Sequence, residues 1–201
     1  MIIPVISMVI PLYNEEEIFP LLIERLIKLI EEFGEKIEII LVNDGSTDST
    51  PEKIRELAIR IPNFKGVLLS RNHGHQIALS AGLSKVSASE AIVVIDGDLQ
   101  DPPELIHKLY EEYKNGYDVV YAVRKKRKEG FIKKIAYFIF YRFLNSISYI
   151  QLPLDSGDFC LMSRRVVDLL NSMPEQSRYI RGLRTWVGFK QKGLELSLIH
   201  I

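Results

Sequence analysis

Short apolar runs alternate along this chain with longer segments whose apolar residues recur at helical spacing. The sequence predicts five strands, at residues 6–11, 37–42, 67–69, 91–95 and 118–123. The run at 91–95 has no polar alternation, so that strand is expected to be covered on both faces. This alternation predicts a doubly wound α/β fold with a mostly parallel sheet and helices on both faces.

The segments between the strands carry recognisable helix-end signals. Asn14, followed three residues later by Glu17, predicts the start of the first helix, and Gly34 predicts its end. The remaining signals are Thr50 before Pro51 for the second helix, Gly74 for the start of the third, and Asp101 with Glu104 and then Gly116 for the two ends of the fourth.

Length and composition narrow the classes of protein. A chain of 201 residues is long enough for one full domain with a sizeable core. The single cysteine, Cys160, excludes an internal disulfide and is expected to be a small core residue. The net charge of zero argues against a nucleic-acid partner.

The zero net charge conceals two halves of opposite sign. Residues 1–118 carry 20 acidic and 11 basic side chains, whereas residues 119–201 carry 6 acidic and 15 basic ones. A basic stretch at 124–128 precedes an apolar and aromatic run at 135–144, which we expect to be an amphipathic helix at a membrane surface or else an ordinary buried helix. No apolar run reaches the ~18 residues that a spanning helix needs.

Polar side chains follow the predicted strands, where ligands bind in open α/β sheets. Asp96 and Asp98 end the fourth strand, and their carboxylates suit Mg²⁺ or Mn²⁺ bridging a diphosphate. The alternative is a plain Asp-Gly turn, and an EF-hand is disfavoured because its required glycine is Asp101 here. Asp44, which ends the second strand, is placed to meet a nucleotide or to form a turn.

Other nucleotide and metal signatures are weak or missing. The sequence contains neither a G-x-x-x-x-G-K-[ST] loop nor a G-x-G-x-x-G after the first strand, which disfavours ATPases and dinucleotide-dependent dehydrogenases. His73 and His75 flank Gly74, but no cysteine or histidine partner is near, so we interpret them as hydrogen-bonding residues at a helix start.

Taken in order, the strand-end motifs resemble those of family 2 glycosyltransferases with a GT-A fold. The likeness extends to the polyprenyl-phosphate glycosyltransferases, which include dolichyl-phosphate mannose synthases and bactoprenol glucosyltransferases. It covers residues 7–191, and Gly97 departs from the alanine usual in the family. The matching motifs are V-I-P-L-Y-N-E-E at 9–16, V-N-D-G-S-T-D at 42–48, L-S-R-N at 69–72, I-A-L-S-A-G at 77–82, D-G-D-L-Q-D-P-P-E at 96–104, S-G-D-F-C-L-M-S-R at 156–164, R-Y-I-R-G-L at 178–183 and W-V-G-F at 186–189.

The resemblance implies a role for individual positions. Catalytic roles fall to Asp96, Asp98 and Asp158, the last near the sugar or metal unless it is only a capping carboxylate in a glycine turn. Asp98 would bind Mg²⁺ or Mn²⁺ directly, with Asp96 and Gln100 assisting. The implied nucleotide-sugar contacts are Pro11, Tyr13, Glu15, Asp44, Asp96 and Gln100. The implied contacts to the acceptor phosphate are Arg124, Lys133, Lys134, Arg178 and Arg181.

The resemblance also implies a reaction and a place in the cell. A hexose would pass, with inversion, from a nucleotide sugar such as UDP-glucose or GDP-mannose to undecaprenyl or dolichyl phosphate. The catalytic domain would be cytoplasmic and membrane-associated, and a homo-oligomer is compatible with this reading. Residues 1–123 would form the nucleotide-sugar half and 124–201 the acceptor half of one domain. Because relatives continue into transmembrane helices, a C-terminal membrane region is expected to be missing.

The sequence bears on three other functions. A transferase to a saccharide hydroxyl would need a general base, a role that Asp158 could fill. A non-catalytic nucleotide-sugar-binding domain is disfavoured because both Asp96 and Asp98 are present. A sugar nucleotidyltransferase should open with a glycine-rich phosphate loop, which residues 13–16 do not provide.

Overall fold

The structure, a computed structural model, describes residues 3–124, 156–175 and 178–196. Its strands are β1 Ile6–Leu12, β2 Ile37–Asn43, β3 Phe64–Leu68, β4 Ala91–Val94, β5 Val119–Arg124, β6 Ser156–Ser163 and β7 Gln191–Leu196. Its α-helices are α1 Phe19–Phe33, α2 Thr50–Arg60, α3 His75–Leu83, α4 Ile106–Lys114, α5 Arg164–Ser172 and α6 Ile180–Trp186. Short 3₁₀ turns at Gly34–Lys36 and Pro103–Leu105 lead into β2 and α4.

All seven strands form one sheet in the order β3-β2-β1-β4-β6-β5-β7. The pairs among β1 to β4 are parallel, and so is the pair β5 with β7. Only β6 runs antiparallel to its neighbours β4 and β5. The predicted mostly parallel α/β sheet is therefore confirmed, with one reversed strand inserted between β4 and β5.

Helices cover both faces of this sheet. Apolar residues of α1, α2 and α4 form a core with one side of β1, which presents Ile6, Met8 and Ile10 there. Apolar residues of α3, α5 and α6 form a second core with the other side, where Val9 points. Because successive side chains of a strand point to opposite faces, a strand covered on both sides is mostly apolar, and its buried polar residues, such as Ser7, are hydrogen-bonded.

The start of α1 differs from the prediction. Asn14 does not cap α1, which begins at Phe19 behind Ile18. Asn14 instead adopts φ 54°, a left-handed conformation that asparagine tolerates, and its side chain accepts a hydrogen bond from the Thr47 N–H at 2.8 Å. The predicted capping box was therefore wrong: Asn14 joins the loop after β1 to the loop after β2 and does not cap α1.

Two of the other helix ends match the prediction, and two helix starts do not. Gly34 and Gly116 have φ values of 61° and 89° and follow α1 and α4 as expected. Thr50 is the first residue of α2 and not its cap, because the Asp48 carboxylate accepts the Thr50 N–H at 3.0 Å. The predicted cap of α4 was wrong, since a 3₁₀ turn separates Asp101 from the helix start.

Close packing places the start of α3 at the carboxyl edge of the sheet. A Cβ on Gly82 would lie 2.3 Å from a methyl carbon of Val9 and 2.8 Å from one of Val42, so α3 approaches β1 and β2 as only glycine permits. The helix axis is thereby held against the sheet, and its first residue, His75, stands beside the ends of the strands.

Part of the predicted acceptor half lies outside the described residues. The basic segment that contains Lys133 and Lys134 and the expected helix at 135–144 fall there. Where the chain is described, no helix has both the length and the apolar character needed to cross a bilayer.

Candidate active site

A cleft of about 460 Å³ opens at the carboxyl ends of β1, β2 and β4, and we call it the strand-end cleft. Its lining residues come from the predicted strand-end motifs and from the start of α3. The lining residues are Pro11, Leu12, Tyr13, Glu15, Asp44, Asn72, Gly74, His75, Ala78, Asp96, Gly97, Asp98 and Asp158. The structure therefore brings together seven of the predicted site residues, namely Pro11, Tyr13, Glu15, Asp44, Asp96, Asp98 and Asp158.

Asp44 lies at one side of the cleft and connects β2 to α3. Its two carboxylate oxygens accept the backbone N–H groups of His73 and Gly74 at 2.8 and 2.9 Å. Asp44 is 4% exposed, so these bonds satisfy a buried charge and tie the end of β2 to the start of α3. The residue lines the cleft as predicted, and its contact with a nucleotide stays a prediction.

The loop after β4 presents Asp96 and Asp98 in different surroundings. Asp98 Oδ1 accepts the Gln100 N–H at 3.0 Å across a turn in which Leu99 adopts φ 58°. Asp96 Oδ1 is buried, and no hydrogen-bond donor of the described residues reaches it. The Gln100 side chain is exposed and does not line the cleft, so its assistance to a metal stays a prediction.

Asp158 reaches the cleft from β6, the antiparallel strand. It lies within a strand and not in a glycine turn, which removes the alternative that it only caps a turn. Its Oδ1 receives the Arg181 guanidinium, with Nη2 at 3.1 Å and Nε at 3.3 Å. Its Oδ2 lies 3.7 Å from His75 Nε2, which is also 3.6 Å from Asp96 Oδ1.

The strand-end cleft is strongly acidic. Five of its lining residues are acidic, and no described lining residue is a lysine or arginine. Burial raises the pKa of Asp96; His75 offsets part of this effect, and the Asp158 and Asp98 charges add to it. Burial, followed by the Asp98 and Asp48 charges, also raises the pKa of Glu15. The site therefore holds negative charge that a cation would relieve.

These residues fit a divalent cation that shares its coordination with a ligand. Within the described residues, no group of three histidine, cysteine or acidic side chains could enclose a metal ion. Mg²⁺, however, is usually held by one or two carboxylates together with substrate phosphates and water. The buried, unsatisfied Asp96 Oδ1 and the neighbouring Asp98 carboxylate match that pattern.

The predicted contacts to an acceptor phosphate are scattered. Arg181 stands at the cleft through Asp158, whereas Arg178 donates to the carbonyls of Met173 and Glu175 after α5. Arg124 is the last residue of β5, and its side chain lies outside what the structure describes. The phosphate roles of these three arginines and of the two lysines stay predictions.

The sequence places Asn72 among the polar residues at the strand ends, but sequence reasoning gave neither Asn72 nor His75 a role in the cleft that both line. The interpretation of His73 and His75 holds for the backbone of His73, but the His75 ring points between two site carboxylates. Both His75 and Asn72 follow β3, so their position at a strand end was the available signal. Histidine spacing alone could not reveal partners that come from β4 and β6.

Comparison with known proteins agrees with the fold. Residues 7–170 match the family model described as glycosyl transferase family 2. The chain therefore belongs to glycosyl transferase family 2. The sheet and the helices that cover it are those of the predicted GT-A fold.

Two curated relatives are similar over most of this chain. The uncharacterized glycosyltransferase YkcC of Bacillus subtilis (strain 168) is 47% identical over 190 residues, which are 94% of this chain and 58% of the relative. The prophage bactoprenol glucosyl transferase homolog of Escherichia coli (strain K12) is 39% identical over 186 residues, 92% of this chain and 60% of the relative. The chain thus spans about three-fifths of the length of these relatives.

A solved structure shares the fold. The mannosyltransferase PcManGT from Pyrobaculum calidifontis, in complex with GDP-Man and Mn²⁺, superposes with a TM-score of 0.64 and 20% sequence identity. The match covers 97% of this chain and 56% of the other. At this identity the likeness establishes the fold alone.

Proposed function

We propose that this chain transfers a hexose from a nucleotide sugar to a polyprenyl phosphate at a membrane surface, with Mg²⁺ or Mn²⁺ and with inversion at the anomeric carbon. The observation that carries the proposal is the strand-end cleft, which has five acidic lining residues and, among the described ones, no lysine or arginine. A nucleoside diphosphate is anionic, so it would bind there only with cations between it and the carboxylates.

Asp96 and Asp98 are the residues that would hold the cation and, through it, the diphosphate. When bound, the cation would neutralise the charge that develops on the departing nucleoside diphosphate. Tyr13 is 44% exposed at the mouth of the cleft, where its ring is available to a base. Glu15 and Asp44 offer carboxylate oxygens to ribose hydroxyls on the same side.

The choice of acceptor is supported by the chemistry of Asp158. Transfer to a sugar hydroxyl needs a general base, but Asp158 Oδ1 is already paired with Arg181. A polyprenyl phosphate oxygen is anionic and attacks without losing a proton, so a paired Asp158 is compatible with it. The relative named as a bactoprenol glucosyl transferase homolog also favours a lipid phosphate acceptor.

The proposal is tested by offering the purified chain radiolabelled UDP-glucose, GDP-mannose or UDP-N-acetylglucosamine, together with undecaprenyl or dolichyl phosphate in detergent. We expect labelled lipid with one donor in Mg²⁺ or Mn²⁺ and none in EDTA. Asp98→Asn should lower the rate by about a thousandfold if it holds the cation at the transition state. Label that passes to an oligosaccharide and never to the lipid would contradict the proposed acceptor.

The membrane surface is tested separately. Co-sedimentation with vesicles that contain anionic lipid should retain the chain at low salt and release part of it at high salt, because basic segments are held electrostatically. Equal recovery in the supernatant with and without vesicles would contradict a membrane-surface role for this chain.

A further inference from the structure

The ion pair between Arg181 and Asp158 joins a helix to a strand at the edge of the strand-end cleft. Arg181 lies on α6 and Asp158 on β6, and two guanidinium nitrogens face the same carboxylate oxygen, Oδ1. Their side chains are 30% and 20% exposed, so the pair is neither sealed in the core nor free in solvent. Of the two, Asp158 lines the cleft.

The backbone on both sides of the pair is fixed. One turn beyond Arg181, the Arg184 side chain is 1% exposed and its Nη2 donates to the Gly157 carbonyl at 3.2 Å, directly before Asp158. The Ile180 N–H donates to Gln76 Oε1 of α3 at 2.9 Å. The helix α6 is therefore tied to β6 through Arg184 and to α3 through the Ile180 N–H.

Arg181 occupies one carboxylate oxygen of Asp158. Of the acidic residues that line the cleft, Asp158 alone has an arginine partner within 4.0 Å in the part of the chain that the structure describes. The pair engages Oδ1, while Oδ2 faces His75 at 3.7 Å. While both guanidinium hydrogen bonds occupy Oδ1, that oxygen does not accept a proton from water.

Phosphate is a strong competitor for the same guanidinium. An arginine fork binds phosphate with the same two-point geometry that it uses for a carboxylate. An anionic acceptor that arrives at the cleft edge would therefore draw Arg181 from Asp158 without moving α6.

We propose that the Arg181–Asp158 pair is a latch that prevents hydrolysis of the bound nucleotide sugar until an anionic acceptor takes Arg181. This inference rests on the proposed function for the nature of donor and acceptor. Without the latch, Asp158 takes a proton from water as the water oxygen bonds to the anomeric carbon. The bond between that carbon and the diphosphate oxygen breaks, and the nucleoside diphosphate leaves with the electron pair.

The test compares two rates in the purified chain, release of nucleoside diphosphate without acceptor and transfer to polyprenyl phosphate. Arg181→Gln should raise acceptor-free release about fivefold and raise the KM for the acceptor about tenfold. Arg181→Lys keeps the charge but loses the two-point geometry, so it should raise acceptor-free release less than Arg181→Gln does. In the double variant Arg181→Gln with Asp158→Asn, release should return to the wild-type rate or below it.

A matched control is Arg165→Gln. Arg165 also forms two hydrogen bonds to one aspartate, Asp118, at the opposite edge of the sheet. This variant reports the effect of losing an arginine–aspartate pair on stability alone, and its rate of acceptor-free release should equal that of the wild type. Thermal unfolding of all variants verifies that each is folded.

The outcomes separate the latch from the proposed acceptor. Acceptor-free release by Arg181→Gln that does not exceed the wild-type value, whether the latter is low or undetectable, overturns the latch. If no donor yields labelled lipid in the wild type but Arg181→Gln still raises release in an Asp158-dependent way, the latch stands and the proposed acceptor is wrong.

Discussion

Each carboxylate of the strand-end cleft has its own surroundings, and these decide what the residue contributes. Asp44 accepts two backbone N–H groups, whereas Asp96 has a buried oxygen that no described donor reaches. The first residue therefore stabilises the fold, and the second is placed for a ligand at the expense of stability. Substitution of each by asparagine should have opposite effects on the metal-free protein.

Asp96→Asn should raise the free energy of unfolding by about 1 kcal/mol at neutral pH in EDTA, the usual scale for relief at a functional site. Its folded-state pKa is raised, so ionisation of Asp96 costs stability. The same variant should lose metal-dependent transfer. Urea unfolding measures the first effect, and a decrease in stability would contradict the assignment.

Asp44→Asn should lower the free energy of unfolding by about 1 to 2 kcal/mol, because an amide nitrogen would then face one of two backbone N–H groups. The measurement is the same urea titration. If Asp44→Asn is as stable as the wild type, the two hydrogen bonds to His73 and Gly74 do not hold the start of α3.

At the scale of elements, the position of α3 depends on Gly82. A methyl group there would meet Val9 and Val42, whose branched side chains cannot rotate away. Gly82→Ala should therefore cost about 2 kcal/mol and also weaken transfer, since α3 carries His75. Thermal unfolding and transfer rates measure the two effects.

Gly97→Ala is the matched comparison. Its methyl would meet the end of the Leu12 side chain at 2.3 Å, which can move aside, and would lie 3.3 Å from the Pro11 carbonyl oxygen. We expect a change in stability of less than about 1 kcal/mol. If Gly97→Ala and Gly82→Ala lose the same amount of stability, the close packing of α3 against β1 and β2 is not the reason for glycine at position 82.

The local pattern predicted β1 to β5 and the helices between them, because continuous apolar runs and helical spacing are properties of neighbouring residues. It did not predict that β6 enters the sheet in reverse between β4 and β5. That placement depends on pairs such as Val93 with Leu161, which are distant in the sequence. The contacts of Asp158 with His75 and Arg181 were missed for the same reason. The positions at strand ends nevertheless predicted most of the cleft.

At the scale of the whole molecule, two acidic groups outside the cleft, Glu38 and Asp118, have a lowered pKa in the folded protein. Burial tends to raise the pKa of Glu38, but hydrogen bonds from Lys65, Ser7 and Ser87 outweigh it and the net pKa is lowered. The hydrogen-bonded Arg165 chiefly lowers the pKa of Asp118. Groups with a lowered folded-state pKa stabilise the fold above their unfolded pKa values and lose that effect as pH falls.

Stability should therefore decline as the pH falls below the unfolded-state values of 4.5 for Glu38 and 3.8 for Asp118. Glu38→Gln should lose about 2 kcal/mol at neutral pH and show a shallower decline in acid. Urea unfolding at several pH values measures both. A variant with the same acid slope as the wild type would show that Glu38 does not carry this dependence.

The opposite charges of the two halves match the two proposed substrates, a cation-bridged nucleotide sugar and a lipid phosphate. The central claim is that the strand-end cleft binds the nucleotide sugar through a divalent cation. Calorimetric titration of the chain with UDP-glucose and with GDP-mannose, in Mn²⁺ and in EDTA, tests it most directly. We predict binding of one donor in Mn²⁺, no binding in EDTA and loss of binding in Asp98→Asn; equal binding in EDTA and in Mn²⁺ would contradict the claim.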